Sequence, residues 1–180
     1  MKPTLLLILL LAFSVVGCTA KEAKPADNSD SSPTLNIEKK DEIAEKPQAE
    51  EPVYEHGSWI TDYKAALEYA KELKRPILAN FTGSDWCVWC YRIRDEIFTQ
   101  DAFKAYAREN LVLLTLDFPR GKKLPAEEVA QNQRLMNQFG VQGFPTILLI
   151  DANGKEIART GYRDGGAAAY VKHLKDLLAK

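Results

Sequence analysis

Phe81-Thr82-Gly83-Ser84-Asp85-Trp86-Cys87-Val88-Trp89-Cys90 is the stretch on which the fold turns. Immediately before and into it, Pro76-Ile77-Leu78-Ala79-Asn80-Phe81 is a short apolar run that reads as a buried strand. Thr82 to Asp85 supply a turn, and helical sequence follows from about Cys87 to Phe98. Two cysteines three apart at a strand-to-helix junction have a chemical logic. Positions i and i+3 share a helix face, so the two sulfurs can meet. The free N–H groups and the positive dipole end of the first turn stabilise an anion at the first cysteine. Cys87 is therefore expected as an exposed nucleophile and Cys90, a turn deeper, as the resolving thiol. Attack of Cys87 on a substrate disulfide makes a mixed disulfide, which Cys90 resolves; the reverse sequence oxidises a substrate. Two other readings stand beside this one. The pair could be a structural disulfide, which an exported chain would keep. It could also be half of a zinc site, for which only His56 and His173, far apart in sequence, could complete four ligands.

Outward from the motif, the pattern predicts alternating helices and strands. A helix runs from a cap at Thr61 or Asp62 to about Lys74, with Tyr63, Ala66, Leu67 and Ala70 on one face. A further helical segment starts at Asp101. Leu111 to Phe118 is a second strand, apolar enough to be central. The basic run Arg120-Gly121-Lys122-Lys123 reads as a solvated loop, and Ala126 to Phe139 as a helix closed by Gly140. Pro145 to Ile150 and Lys155 to Thr160 flank Asp151-Ala152-Asn153-Gly154, a hairpin signal. Asp164 to Lys180 forms a last helix, with His173 on its polar face. The order α-β-α-β-α-β-β-α implies an α/β fold whose central mixed sheet is flanked by helices. Its early strands are parallel and its last two antiparallel.

A strand, then Trp86-Cys87-x-x-Cys90, then a helix, with Gly143-Phe144-Pro145-Thr146 about fifty-five residues on, resembles the thioredoxin superfamily. It resembles particularly those members that carry Phe-Thr-Gly-Ser-Asp-Trp-Cys before the motif, here Phe81 to Cys87. The resemblance implies that the bond before Pro145 is cis and lies beside the dithiol. The backbone of Phe144 would then be free to pair with an extended substrate segment. The plainer reading of Pro145 is the first residue of a strand, where proline is tolerated. Trp86 either packs or shapes the substrate surface. Two departures from the family pattern matter. Val88-Trp89 between the cysteines carries no cation, which argues against an extremely acidic thiol and a strong oxidase. Asn80 stands near where many relatives hold a buried aspartate, and an amide cannot accept a proton as a carboxylate does. Asp85, Glu96 or a water would have to substitute; for both carboxylates, turn and helix-start solvation is the plainer reading.

The amino-terminal third reads as an address and a tether. After Lys2, Leu5 to Val16 is an apolar run of 12 residues, broken only by Ser14. A membrane span needs about 20. Residues 1–17 are read as a secretory signal, and Val15-Val16-Gly17-Cys18 resembles the lipobox of bacterial lipoproteins, which implies lipidation of Cys18. Thr19, rather than Asp, leans towards the outer membrane. Residues 18–55 are read as a disordered acidic tether: positions 22–55 hold ten Asp and Glu against four Lys, four prolines and one aromatic, Tyr54. Such a chain reaches on the order of 30 Å.

Residues 56–180 then form one thioredoxin-like domain, with 18 Lys and Arg against 15 Asp and Glu. The whole chain has 180 residues, net charge −1 and mean hydropathy −0.29, which excludes a wholly disordered or polytopic membrane protein. The near-zero charge offers no case for nucleic-acid binding. Three cysteines are too few for a disulfide scaffold. The expectation is a monomeric, lipid-anchored thiol-disulfide oxidoreductase of the bacterial envelope, facing the periplasm or the exterior. It uses no cofactor or metal, acts on protein dithiols or disulfides as reductase or isomerase, and draws on a membrane electron-transfer partner. The alternative is a non-catalytic binding lipoprotein with a structural disulfide.

Overall fold

The computed structural model describes residues 54–179. The signal, Cys18 and nearly all of the tether lie outside these residues. Chain order is β1 (Trp59–Ile60), α1 (Tyr63–Leu73), β2 (Ile77–Thr82), α2 (Val88–Ile93), a π-helical turn (Arg94–Phe98), α3 (Asp101–Asn110) and β3 (Val112–Asp117). There follow α4 (Ala126–Gln138), β4 (Thr146–Ile150), β5 (Glu156–Thr160) and α5 (Gly166–Leu178). The five strands form one sheet in the order β1-β3-β2-β4-β5. β2 pairs in parallel with β3 and antiparallel with β4, and β4 pairs antiparallel with β5.

β2 is buried along its whole length because it is central and covered on both faces. Its alternation sends Ile77, Ala79 and Phe81 into one core, with Ala66 and Ala70 of α1 and Leu135 of α4. Leu78 goes to the opposite core, with Ile93, Ile97, Phe103, Ala107, Tyr170 and Leu174. By the same alternation Asn80 faces the second layer, the one that contains α2. Each large apolar side chain so buried contributes about 1.5–3 kcal/mol.

Local signals explain two of the element ends. Asp62 caps α1, accepting from the Ala65 N–H at 2.9 Å. The hairpin turn closes on Asp151, whose Oδ1 accepts from the N–H groups of Asn153 and Lys155, with Gly154 at φ +83°.

Two elements differ from expectation. β1 has only two residues, too few for any periodicity to show, and pairs with β3 through Trp59 and Ile60. The helix after Cys87 is α-helical only to Ile93; Arg94 to Phe98 widen into a π turn, where the Thr99 N–H donates to the Arg94 carbonyl. Tyr54, assigned by sequence to the tether, is buried. Its ring stacks on Tyr69, and its hydroxyl accepts from the Leu113 N–H and donates to the Ser58 carbonyl. One aromatic among acidic residues offered no partner by proximity in sequence; the partners come from the edge of β3 and from α1.

Candidate active site

The dithiol sits where β2 ends and α2 begins. Cys87 is the N-cap of α2, with extended backbone, and Cys90 lies in the first turn. The two are joined as a disulfide, with Cα atoms 5.2 Å apart. The Cys90 N–H, in the first turn of the helix, donates both to Cys87 Sγ at 3.2 Å and to the Cys87 carbonyl at 3.0 Å. Cys87 was expected to be exposed. It is 6% exposed and Cys90 4%, because in the disulfide the Cys87 sulfur turns back over the first turn of the helix. Exposure lies instead on the residues between them, Val88 at 66% and Trp89 at 52%.

The turn before Cys87 is tied to the loop after β3. Asp85 accepts the N–H groups of Arg120, Gly121 and Lys122, at 3.0, 2.7 and 3.1 Å. These backbone donors hold its carboxyl below the usual aspartate range. Asp117, buried at the end of β3, accepts from the Ser84 N–H and hydroxyl at 2.9 and 2.6 Å and from Lys122 Nζ at 3.2 Å. The basic run is exposed, as a solvated loop is, and through its main-chain N–H groups it also clasps the active-site turn. Asp85 is hydrogen-bonded to this loop, and Glu96 to Arg92 and Tyr162.

This clasp orients Trp86. Its Nε1–H donates to the Phe118 carbonyl at 2.8 Å, and the Arg120 guanidinium lies 3.8 Å from the ring centroid. Gly83 permits it: a Cβ there would overlap the indole. Phe144 meets the Trp86 ring edge-on at 5.8 Å and stacks on Phe118 at 5.0 Å. The Phe144–Pro145 bond is cis, and Thr146 pairs with Phe81 in the sheet. The chain segments that carry Trp86, Phe144 and Pro145 are thus brought together at the dithiol end of β2.

Behind the disulfide is a cavity of about 290 Å³, lined among others by Asn80, Thr82, Cys90 and Thr115. Asn80 Oδ1 is buried there without a hydrogen-bond partner. On the outer side, Arg92 of α2 pairs with Glu96 at 2.9 Å, and Glu96 accepts the Tyr162 hydroxyl at 2.5 Å. These two bonds hold Glu96 below its usual range, and the Glu96 bond chiefly pushes Tyr162 up to about 12. The sequence hinted at the first contact, an i, i+4 pair, but nothing linked Tyr162 to a residue 66 positions away. His173 meets the Thr160 hydroxyl at 3.0 Å, and His56 packs near Tyr54. Among the described residues no group of three or more His, Cys, Asp or Glu side chains is placed to hold a metal.

Comparison with known proteins agrees with this geometry. A family model described as a thioredoxin-like domain matches residues 63–177. The chain belongs to the thioredoxin-like family. The disulfide bond reductase DsbH of Chlamydia pneumoniae is 44% identical to it over 116 residues, 64% of this chain and 70% of that protein. A solved DsbH oxidoreductase structure superposes with TM-score 0.65 at 43% identity, over 68% of this chain and 84% of that one. A thiol:disulfide interchange protein DsbD of Actinobacillus pleuropneumoniae is 36% identical over 77 residues, but this spans only 12% of that protein. A thioredoxin from Thermus thermophilus, 18% identical with TM-score 0.51, shares the fold. The mixed sheet flanked by helices is the thioredoxin-like fold, and this member of the family is a thiol-disulfide oxidoreductase.

Proposed function

We propose that the chain reduces or isomerises disulfides of polypeptides outside the cytoplasm, held to a membrane by a lipid on Cys18. The observation that carries the reading is the Cys87–Cys90 disulfide at the N-cap of α2, beside Trp86 and the Phe144–Pro145 segment. The likeness to a disulfide bond reductase supports the reducing direction. So does the absence of a cation at Val88 and Trp89, the two residues between the cysteines.

In the dithiol form, Cys87 as thiolate attacks one sulfur of a substrate disulfide. A new Cys87–substrate bond forms, the substrate bond breaks, and the departing sulfur leaves as a thiolate that takes a proton from solvent. Cys90, deprotonated, then attacks Cys87 Sγ and releases the second substrate thiolate. Two electrons pass to the substrate, and the Cys87–Cys90 disulfide remains. A dithiol partner in the membrane returns the pair to the reduced state. The helix start favours Cys87 as the attacking thiolate through the Cys90 N–H. Trp86, Phe144 and Pro145 are assigned to contact the substrate chain. The remaining parts of the reading are a signal over residues 1–17, a tether over 18–55, the outer membrane as location, and a monomer.

Cys87→Ser should abolish reduction of insulin disulfides, and Cys90→Ser should trap a mixed disulfide. A reduction potential near about −270 mV supports the reducing direction, whereas one near about −120 mV overturns it. A second reading, a non-catalytic binding lipoprotein with a structural disulfide, draws on the low exposure of both cysteines. Resistance of the native disulfide to glutathione would favour it.

A further inference from the structure

We infer that Trp89 is a specificity-determining residue, a fixed aromatic shelf for an aliphatic or aromatic side chain next to the substrate cysteine. The inference rests on the reading that the pair acts on polypeptide disulfides. An indole so exposed on a helix would ordinarily be free to change rotamer. Here it is held from outside its own turn. The Arg92 guanidinium lies 5.0 Å from the Trp89 centroid and 4.7 Å from that of Tyr162, in contact with both rings. The two rings lie 5.4 Å apart at 44°. Arg92 is fixed by Glu96, Glu96 also accepts from Tyr162, and the same hydroxyl lies 3.1 Å from Asp164 Oδ1. Two elements distant in sequence thus converge on one exposed ring, and about half of that ring packs against nothing.

The occupant follows from position. Trp89 and Val88 are two of the four large apolar side chains exposed among the described residues, and both stand between the two cysteines in the chain. A mixed disulfide on Cys87 ties the substrate chain to this helix start. At about 3.5 Å per extended residue, the side chains one and two residues from the substrate cysteine fall over the shelf. A ring already held in place loses little freedom when it is covered, so apolar contact there is retained as affinity. Arg92, Glu96 and Tyr162 act through Trp89 and are positioning residues.

The test uses the reduced full-length chain and two disulfide-linked peptides that differ only beside the cysteine, Leu and Phe in one, Ser and Gln in the other. Single-turnover rates should favour the apolar peptide by about tenfold, the scale of one aliphatic contact. Trp89→Ser should bring the ratio close to one, and Trp89→Phe should keep most of it. Arg92→Gln should lower the ratio, and Arg92→Lys should restore part of it, a response that loss of folding would not produce. Equal wild-type rates on the two peptides, or a ratio unchanged in Trp89→Ser, would overturn the inference while leaving the oxidoreductase reading intact. No reaction with either peptide would overturn both.

Discussion

At the scale of the residue, the active-site turn shows how few groups hold a reactive pair in place. Asp85 is exposed, yet it collects three backbone N–H groups from the loop after β3, and Gly83 leaves the space that Trp86 fills. Asp85→Asn keeps the shape and removes the charge. Because the native carboxyl is held below its ordinary value of 3.8, its contribution to stability is complete above that value and is lost as pH falls through the lower native one. Urea midpoints should therefore place Asp85→Asn below wild type at neutral pH. The difference should shrink as pH falls below about 4. A difference constant with pH would assign the effect to something other than the carboxylate. The charge matters here because the donors are main-chain groups, which a neutral amide oxygen satisfies less strongly.

At the scale of the element, helix ends carry information that periodicity does not. α1 ends on Lys74 in the left-handed region, φ 53°, with its N–H returned to the Ala70 carbonyl. A side chain pays for that conformation and glycine does not. Lys74→Gly should raise the unfolding free energy by about 0.5–1 kcal/mol, read from thermal or urea denaturation. The position is remote from the dithiol, at the opposite end of β2, so peptide-disulfide reduction should be unchanged. The helix after Cys87 is the contrasting case. Its apolar spacing predicted one continuous helix to Phe98, and its residues do remain helical in direction, but the π turn inserts a wider step. Both Ile93 before it and Ile97 and Phe98 within it reach the same core. That core sets the angle of the turn, and no local residue announces it.

At the scale of the whole molecule, β2 joins the chemistry to the cores. Its outer neighbours β3 and β4 run in opposite directions, so β4 brings Thr146 beside Phe81 while β3 brings Asp117 beside Thr82. The dithiol turn, the clasp loop and the cis-proline segment meet at one end of the sheet for that reason. Leu148, fully buried on β4 opposite Ala79, should cost about 2–5 kcal/mol when changed to Ala. Equilibrium denaturation should show that loss. A variant that unfolds with wild-type stability would mean that the layer formed with α1 and α4 does not carry the fold.

Apart from the two-residue β1, the order of strands and helices, the parallel and antiparallel pairing, and the cysteines at a helix start were legible from local pattern alone. Alternation on β2 and Cys-x-x-Cys after a turn are short-range signals, set by residues within a few positions of one another. The tertiary structure alone decided that the main chain at 120–122 grips Asp85, that Tyr54 belongs to the core and that both cysteines are buried in the disulfide. It also decided that Tyr162 and Arg92 hold Trp89. Each of these joins a residue to partners beyond its own element or depends on how the chain closes over it. Local chemistry names the groups able to react, and only the packed chain determines which neighbours surround them.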